Sequence, residues 1–306
     1  DALSVLHDTA AGTPPQLGRR VVVYGGGNTA IDAARTARRL GATDALIVYR
    51  RTRDRMPAHD SEVIEAEEEG IQLRWLSTIA GAGAGRITVE RMELDETGFP
   101  QPTGEFEELD ADAVVLAIGQ DVDRSLVEGV DGIEVEDGVI QVGPDMMTGR
   151  AGVFAGGDMV PAERTVTTAI GHGKQAARNI DAFLRGTRHE RPPRPDLAGF
   201  DVLNTWYYPE VAGTERPRLD PERRVRTFEE VVGGLDEQAA LNEARRCLSC
   251  GNCFECDNCY GMCPDNAIIK HGPGEGYTID LDYCKGCGIC AAECPAGAIL
   301  MVPEET

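Results

Sequence analysis

The chain has 306 residues, of which 42% are apolar and 27% charged, and 30 basic against 52 acidic residues give a net charge of −22. This length predicts about two domains, and the acidity argues against binding to nucleic acid or to an anionic membrane while leaving open whether it serves solubility or docking of a basic partner. No run approaches the roughly 18 apolar residues that span a bilayer, and the start shows no secretory signal.

Cysteine placement separates two parts of the chain. All ten cysteines lie between Cys247 and Cys294, whereas the first 246 residues contain none. A secreted protein held by disulfides would distribute its cysteines through its fold, so the cysteine-free part indicates a cytoplasmic protein. The dense tail is then a candidate metal site.

Residues 1–18 are expected to form an irregular lead-in, and residues 19–118 alternate strand and helix signals. The apolar run 19–24 predicts a buried parallel strand, and 28–40 predicts a helix whose apolar side chains share one face. A second buried strand over 45–49 completes a strand–helix–strand unit within about 30 residues. This order predicts an α/β nucleotide-binding domain.

A glycine motif joins the first strand to that helix. It reads Gly25-Gly26-Gly27-Asn28-Thr29-Ala30 and matches the pattern G-x-G-x-x-A. Glycines permit a tight turn and close approach of the backbone to a pyrophosphate, while the helix N-terminus supplies unpaired N–H groups. These six residues are therefore predicted to bind a dinucleotide.

Arginines follow the second strand, where a site for NAD usually carries an acidic residue. Arg50 and Arg51 suit a 2′-phosphate, because guanidinium groups bind phosphate in a forked, charge-assisted geometry. Arg55 is expected to reach the same anion. The alternative is a solvated basic loop on an otherwise acidic protein. We predict an NADPH-binding domain over 19–118.

The remaining signals are weaker. In chain order we expect a polar helix over 60–69, a strand over 72–76, antiparallel strands over 87–94 and 106–109, a buried strand over 113–118, a hairpin at Asp137-Gly138, a strand over 153–155 and a helix over about 167–184. Residues 191–245 are predicted to be a surface connector that ends in a short helix capped by Asp236.

The tail, 246–306, contains two copies of one cysteine pattern, each cysteine of the second lying 31 residues after its counterpart. The copies are Cys253-x2-Cys256-x2-Cys259-x3-Cys263-Pro264 and Cys284-x2-Cys287-x2-Cys290-x3-Cys294-Pro295. This spacing is typical of [4Fe–4S] clusters, with the cysteine before proline directed to the other cluster. We therefore predict one cluster on Cys253, Cys256, Cys259 and Cys294, and a second on Cys284, Cys287, Cys290 and Cys263.

Two alternatives bear on this tail. Paired cysteines also suit tetrahedral zinc, although zinc rarely requires a three-plus-one run with a trailing proline, repeated twice. Cys247 and Cys250 extend the first run, but only the frame that starts at Cys253 places Cys263 correctly. The extra pair remains open as a redox dithiol, as ligands of another metal, or as inert thiols.

Three further segments look like the closing motifs of flavoproteins with two dinucleotide-binding domains. They cover residues 114–119, 152–158 and 165–170. Together with residues 25–32, Tyr49-Arg50-Arg51, Met56-Pro57 and 156–180, they make residues 1–190 resemble the glutamate synthase small subunit. The tail resembles bacterial two-cluster ferredoxins.

The resemblance implies an α/β two-dinucleotide-binding-domain flavoprotein fold, with residues 119–190 as the carboxy-terminal part of the FAD-binding domain, and a small α+β ferredoxin-like domain over 246–306. It places Gly119, Gly157, Asp158, Thr167, Thr168 and Ala169 in the FAD site. Asp158 would bond the ribityl or phosphate portion, and the three residues 167–169 would direct N–H groups at the flavin pyrimidine edge. A helix N-terminus there also favours the negative charge of reduced flavin.

The resemblance also implies an activity, namely an NADPH-dependent iron–sulfur flavoprotein oxidoreductase with FAD and two [4Fe–4S] clusters. Its expected partner is a glutamate synthase large subunit or a 2-oxoacid:ferredoxin oxidoreductase. No catalytic side chain is expected, because hydride transfer depends on stacking geometry. The family's earlier glycine unit for FAD does not occur in this sequence, so we expect the carboxy-terminal part of a longer protein; the alternative is a non-catalytic electron-transfer subunit.

Overall fold

A parallel sheet lies at the centre of the amino-terminal part of the molecule. The computed structural model describes residues 1–190 and 197–303, which divide into two compact units. The first unit comprises Asp1–Glu190 and Leu219–Val231, and the second comprises the other described residues. In chain order the first unit contains α1 (Ala2–Ala10), β1 (Arg20–Gly25), α2 (Asn28–Arg39), β2 (Asp44–Val48), α3 (Asp60–Glu68), β3 (Gln72–Arg74), β4 (Ser77–Gly83), β5 (Arg86–Leu94), β6 (Pro100–Asp110), β7 (Ala113–Ala117), β8 (Val135–Glu136), β9 (Val139–Ile140), α4 (Val166–Leu184) and α5 (Pro221–Arg224).

The sheet has the strand order β3–β2–β1–β7, and all of its strands run parallel. Val22 in β1 is in register with Leu46 in β2 and Val114 in β7. Because β1 and β2 are sequential and parallel, α2 connects them as the crossover helix. The predicted strand–helix–strand unit is therefore confirmed.

The core of this unit forms where α2 packs on the sheet. Ile31, Ala34 and Ala37 of α2 are fully buried, as are Val23 and Ile47 of the strands beneath them. These alanines allow the helix to approach the sheet closely, and burial of each branched side chain contributes about 1.5–3 kcal/mol.

A buried ionic cluster joins α2 to α3. The Arg35 guanidinium contacts Glu69 Oε1 at 2.6 Å, Glu62 Oε2 at 2.9 Å and Glu65 Oε2 at 3.1 Å. The Glu69 side chain is fully buried. A buried carboxylate is tolerated only with such partners, so these ion pairs add to the apolar packing of Val63 and Ala66 that holds α3 on α2.

The first residues differ from expectation. Residues 1–18 were expected to be irregular, but they begin with helix α1. The Asp1 carboxylate accepts a hydrogen bond from Leu3 N at 3.2 Å and so caps the helix. Ala2 and Val5 are buried in the same core as α2, and this packing stabilises a helix whose polar residues mask its periodicity.

An antiparallel sheet follows β3, with the order β4–β5–β6. The pairing of β5 with β6 confirms the two strands expected there. Strand β4 was not expected, because its glycines and alanines carry no strand signal, and it forms by pairing with β5.

Two elements were predicted in the segment before α4, of which the structure confirms one and contradicts the other. The hairpin β8–β9 turns at Asp137 (φ 49°) and Gly138 (φ 82°), the left-handed pair that such turns require. The strand expected over 153–155 is wrong, since Phe154 forms only an isolated bridge with Met147.

The second unit contains α6 (Glu237–Arg245), α7 (Asn258–Met262), β10 (Ile268–Lys270), β11 (Tyr277–Ile279) and α8 (Ile289–Ala292). The predicted cap of α6 is confirmed, because the Asp236 carboxylate accepts from Ala239 N at 2.7 Å. Of the predicted connector 191–245, residues 191–196 lie outside the described residues. Aliphatic burial here is slight and is concentrated at Ala267, Ile268 and Ala296.

The two cysteine copies share a backbone conformation. Three pairs of residues 31 positions apart adopt positive φ: Glu255 (59°) with Gly286 (67°), Asp257 (67°) with Gly288 (77°), and Asn266 (51°) with Gly297 (62°). Left-handed conformations favour glycine, so the second copy uses the expected residue at each position. In the first copy, the side chains offset the backbone cost: Glu255 accepts from the N–H groups of Gly274 and Gly276, and Asp257 accepts from Lys270 and Tyr277.

Candidate functional site

A cavity of about 750 Å³ lies where β1, β2 and β7 end. Its wall includes the glycine loop Gly25–Gly27, Thr29, Arg50, Arg51 and Gly119. Gly27 is the N-cap of α2, so the first N–H groups of this helix lie beside the loop. Ligands of parallel α/β sheets bind beyond the carboxyl ends of the strands, as this cavity is placed.

The three glycines of the loop serve different purposes. A Cβ at Gly25 would lie 2.2 Å from the Ala117 carbonyl oxygen, and one at Gly26 would lie 2.3 Å from the Tyr49 ring. A Cβ at Gly27 would meet no atom within 4 Å. Gly25 and Gly26 are therefore required by the packing of the protein itself, whereas the space beside Gly27 is free for a ligand. This cradle fits the close approach of a pyrophosphate.

Of the three other motif residues, Thr29 lines the cavity, whereas Ala30 and Asn28 contact the rest of the fold. Ala30 is fully buried, which brings α2 close to the sheet as the third pattern position requires. Asn28 Oδ1 accepts from His59 N at 3.0 Å, which ties the start of α2 to the segment before α3.

Two arginines lie on the β2 side of the cavity without a compensating acid. Among the described residues, neither Arg50 nor Arg51 forms an ion pair or a side-chain hydrogen bond, and the Arg51 Nε atom is buried without a partner. Arg53, in contrast, contacts Glu67 at 2.9 Å. Two cations without an acidic partner in the wall of a cavity fit an anionic ligand. Arg55 does not line the cavity, and its Nε lies 3.8 Å from Asp54 Oδ2.

Of the six residues predicted for FAD, all but Gly119 lie around the start of α4. A Cβ on Gly157 would lie 3.6 Å from the Ala169 Cβ, and Asp158 is exposed in the same short 3₁₀ helix, Gly157–Met159. The Thr165 hydroxyl accepts from Thr168 N at 3.1 Å and caps α4. Gly119 is separate from this group, because it lines the cavity beyond β7.

His172 holds this loop in place. Its Nδ1 accepts a hydrogen bond from Gly157 N at 3.1 Å, which leaves Nε2 as the protonated nitrogen of the neutral ring. A Cβ at Gly156 would lie 2.9 Å from the His172 Cβ, so the loop and α4 are in close contact.

A second cavity, of about 270 Å³, lies among cysteines. Its four thiols belong to Cys253, Cys256, Cys259 and Cys294. Burial raises the pKa of the Cys259 thiol, and the nearby thiols of Cys256, Cys294 and Cys253 raise it further. The last cysteine of the second copy thus joins the first three of the first copy, which is the predicted crossed set. A polarisable cluster bound by thiolates would relieve this crowding of sulfurs.

The thiols of the second copy interact with one another, and one of them, Cys287, also interacts with Lys285. Burial raises the pKa of Cys290, with further contributions from Cys284 and Cys287. The pKa of Lys285 is raised by its hydrogen bond with Asp265 at 2.7 Å and, to a lesser extent, by Cys287 and Cys263. Cys263 of the first copy and Cys287 of the second therefore both act on Lys285.

The cysteine before each proline has the same surroundings. Ala267 N donates to Cys263 Sγ and Ala298 N donates to Cys294 Sγ, both at 3.3 Å.

Over residues 1–190 and 197–303, no three cysteine, histidine or acidic side chains converge closely enough to hold a single metal ion.

The extra cysteines and one tyrosine complete this region. Cys247 and Cys250 are exposed and do not line the 270 Å³ cavity. The Tyr208 hydroxyl is buried without a hydrogen-bond partner among the described residues. Burial is the largest cause of the raised pKa of Tyr208, and the nearby thiols of Cys256, Cys294, Cys250 and Cys247 raise it further. Sequence reasoning did not select Tyr208, because its segment has no motif.

Comparison with known families agrees with this architecture. The model of the pyridine nucleotide-disulphide oxidoreductase family matches residues 1–173, and the model of the 4Fe-4S binding domain matches residues 277–300. The chain therefore belongs to the pyridine nucleotide-disulphide oxidoreductase family and carries a ferredoxin-like region, which confirms the predicted fold class.

Several relatives extend the match. The NADP(+)-dependent formate dehydrogenase subunit beta of Moorella thermoacetica is 39% identical over 265 residues, covering 78% of this chain and 36% of its own length. The NADPH-Fe(3+) oxidoreductase subunit beta of Geobacter sulfurreducens is 30% identical over 296 residues, covering 81% and 44%. A putative glutamate synthase [NADPH] small chain of Cereibacter sphaeroides is 39% identical over 181 residues, covering 55% and 44%. The predicted resemblance to the glutamate synthase small subunit is confirmed, and the chain spans less than half the length of these relatives.

Among solved structures, thioredoxin reductase of Lactococcus lactis aligns with 60% of this chain and 57% of its own, at 25% identity and a TM-score of 0.47. Separately, no helix within the described ranges is both long and apolar enough to cross a membrane.

Proposed function

We propose that this chain is the NADPH-binding and iron–sulfur part of a flavoprotein oxidoreductase that moves electrons between NADPH, FAD and two [4Fe–4S] clusters. The observation that carries the proposal is that one chain combines a dinucleotide cradle flanked by unpaired arginines with a cavity lined by four thiols. The names of its relatives, which include NADP(+)- and NADPH-dependent subunits, support the same activity.

The cradle residues have separable roles in binding NADPH. The space at Gly27 and the first N–H groups of α2 accept the pyrophosphate, because an N-terminus favours negative charge. Arg50 and Arg51 bind the 2′-phosphate through their forked N–H donors. Ala30 and Asn28 act on the position of the helix, and Thr29 lines the cavity.

The residues at the start of α4 would hold FAD. Asp158 is exposed for a hydrogen bond to the ribityl or phosphate portion. In the first turn of α4, Thr168 N and Ala169 N already donate to Thr165, so Thr167 is the residue of the three whose N–H would serve the pyrimidine edge. His172 fixes the Gly157 loop against this helix. When bound, FAD supplies the conversion between two-electron and one-electron chemistry.

The eight motif cysteines would hold the clusters in the two crossed sets. The first set, Cys253, Cys256, Cys259 and Cys294, already surrounds one cavity. The clusters, when bound, supply one-electron transfer. The acceptor is a partner subunit, either a glutamate synthase large subunit or a 2-oxoacid:ferredoxin oxidoreductase, since the relatives are named as subunits or chains.

An anaerobic titration tests the electron route. Cluster-reconstituted protein with added FAD is titrated with NADPH, and visible absorbance and EPR report the flavin and the clusters. Reduction of flavin and then of both clusters is the expected result. Intact clusters that ignore NADPH while dithionite reduces them would instead indicate a non-catalytic electron-transfer subunit.

Binding measurements test the nucleotide preference. The Arg50→Ala/Arg51→Ala double variant should lose NADPH affinity by about 10- to 100-fold, as two charge-assisted contacts disappear, with NADH affinity unchanged. Arg53→Ala is the matched control, because Arg53 is paired with Glu67 and does not line the cavity. Equal losses for both nucleotides would contradict the assignment.

A further inference from the structure

The turn between β5 and β6 brings an aromatic ring to the two cavity arginines. The Phe99 ring centroid lies 5.9 Å from the Arg50 Cζ and 5.9 Å from the Arg51 Cζ. These distances are within the range at which a guanidinium is attracted by the π face of a ring. Phe99 itself does not line the cavity.

Its turn is held by one carboxylate. Asp95 accepts hydrogen bonds from Thr97 N at 2.9 Å, Phe99 N at 2.9 Å and Gln101 Nε2 at 3.0 Å. Asp95 N also donates to the Phe99 carbonyl oxygen at 3.0 Å. The backbone of Phe99 is therefore fixed although 49% of the residue is exposed.

Contact with a ring leaves an arginine able to bind phosphate. Cation–π attraction uses the face of the guanidinium, whereas phosphate binds to the N–H groups at its edge. The negative face of the ring also attracts both cations, neither of which is paired with a described carboxylate.

We propose that Phe99 is a positioning residue that orders Arg50 and Arg51 for a phosphomonoester on the nucleotide, and so contributes to the preference for the 2′-phosphate. This inference rests on the nucleotide site proposed above. Phe99 acts through the arginines, so its loss affects ligands that carry the 2′-phosphate and spares those that lack it.

Calorimetric titration with adenosine 2′,5′-bisphosphate and with 5′-AMP tests this role. In Phe99→Leu the affinity for the bisphosphate should fall about 3- to 10-fold, with that for 5′-AMP unchanged, as expected for the loss of two partly exposed cation–π contacts. Phe99→Tyr keeps a π face and should restore the wild-type affinity. Phe106→Leu, at a residue that is 60% exposed on β6, is the matched control.

The outcomes separate the two proposals. If the wild-type protein binds both ligands equally, the 2′-phosphate site is wrong, and the role of Phe99 falls with it. If the wild type prefers the bisphosphate and Phe99→Leu prefers it by the same ratio, the nucleotide site is supported and the role of Phe99 is overturned. A parallel loss for both ligands in Phe99→Leu also overturns it, since that result indicates a structural effect alone.

Discussion

The two units are stabilised in different ways. The first unit has an extended core of buried alanine, valine and isoleucine side chains around α2 and the parallel sheet, whereas aliphatic burial in the second unit is concentrated in Ala267, Ile268 and Ala296. A small unit with so little buried apolar surface requires cross-links or metal to fold. We therefore expect bound metal to stabilise the second unit and the first unit to fold without ligand.

The largest expected effect is therefore cluster removal. Chelation of iron under mild oxidation should abolish the protection of amides around Ile268 and Ile279 in the second unit, because binding free energy there is folding free energy. Amides of Val23 and Ile47 in the first unit should keep theirs. Hydrogen exchange with mass spectrometry measures amide protection in both units in one sample. Unchanged protection around Ile268 would show that the second unit does not depend on metal for its stability.

The buried ionic cluster gives the largest single-residue effect within the first unit. Glu69→Ala leaves the buried Arg35 with fewer partners and should lower the free energy of unfolding by about 3–5 kcal/mol. Glu67→Ala, which removes only the exposed pair with Arg53, should cost less than about 1 kcal/mol. Urea unfolding measures the free energy of unfolding of each variant. Similar losses for Glu69→Ala and Glu67→Ala would show that burial does not determine how much an ion pair stabilises this unit.

The glycine loop separates stability from binding inside the first unit. Gly26→Ala should destabilise by about 1–3 kcal/mol, because the added methyl group meets the Tyr49 ring. Gly27→Ala should change stability by less than about 1 kcal/mol and weaken NADPH binding at least about tenfold, since its methyl group fills the free space beside the loop. Thermal melts and fluorescence titration distinguish the two, and wild-type NADPH affinity in Gly27→Ala would contradict the cradle.

A smaller effect concerns pH. The hydrogen bond from Arg20, with those from the N–H groups of Arg20 and Arg19, lowers the pKa of Asp112 to about 2. In the unfolded chain the pKa of Asp112 is near 4, so its ionised carboxylate stabilises the fold at pH values above about 4. This stabilisation is lost as the pH falls through about 2. The stability difference between wild type and Asp112→Asn should thus be larger at pH 6 than at pH 2.5. Denaturant titration at both values measures it; an equal difference would contradict the assignment.

Local patterns sufficed to predict the nucleotide cradle and the cysteine sets, because their chemistry is encoded over short spacings. The strand–glycine–helix unit and the 31-residue repeat are readable without knowledge of the fold. Phe99 was not predictable in this way, since it meets Arg50 only through the pairing of β5 with β6. Helix α1 was missed for the same reason, because its stability comes from contact with α2.

The matched left-handed positions of the two cysteine copies bear on how the tail could be re-engineered by grafting. Residues 284–297 carry glycine at all three positions, so this loop could replace 253–266 with its own backbone intact. The reverse graft would place asparagine at Gly297, where a Cβ lies 2.8 Å from the Val202 carbonyl oxygen. The second copy can therefore replace the first with its own backbone, whereas the first cannot replace the second without moving the Val202 carbonyl, and a symmetric module should be built from the second copy.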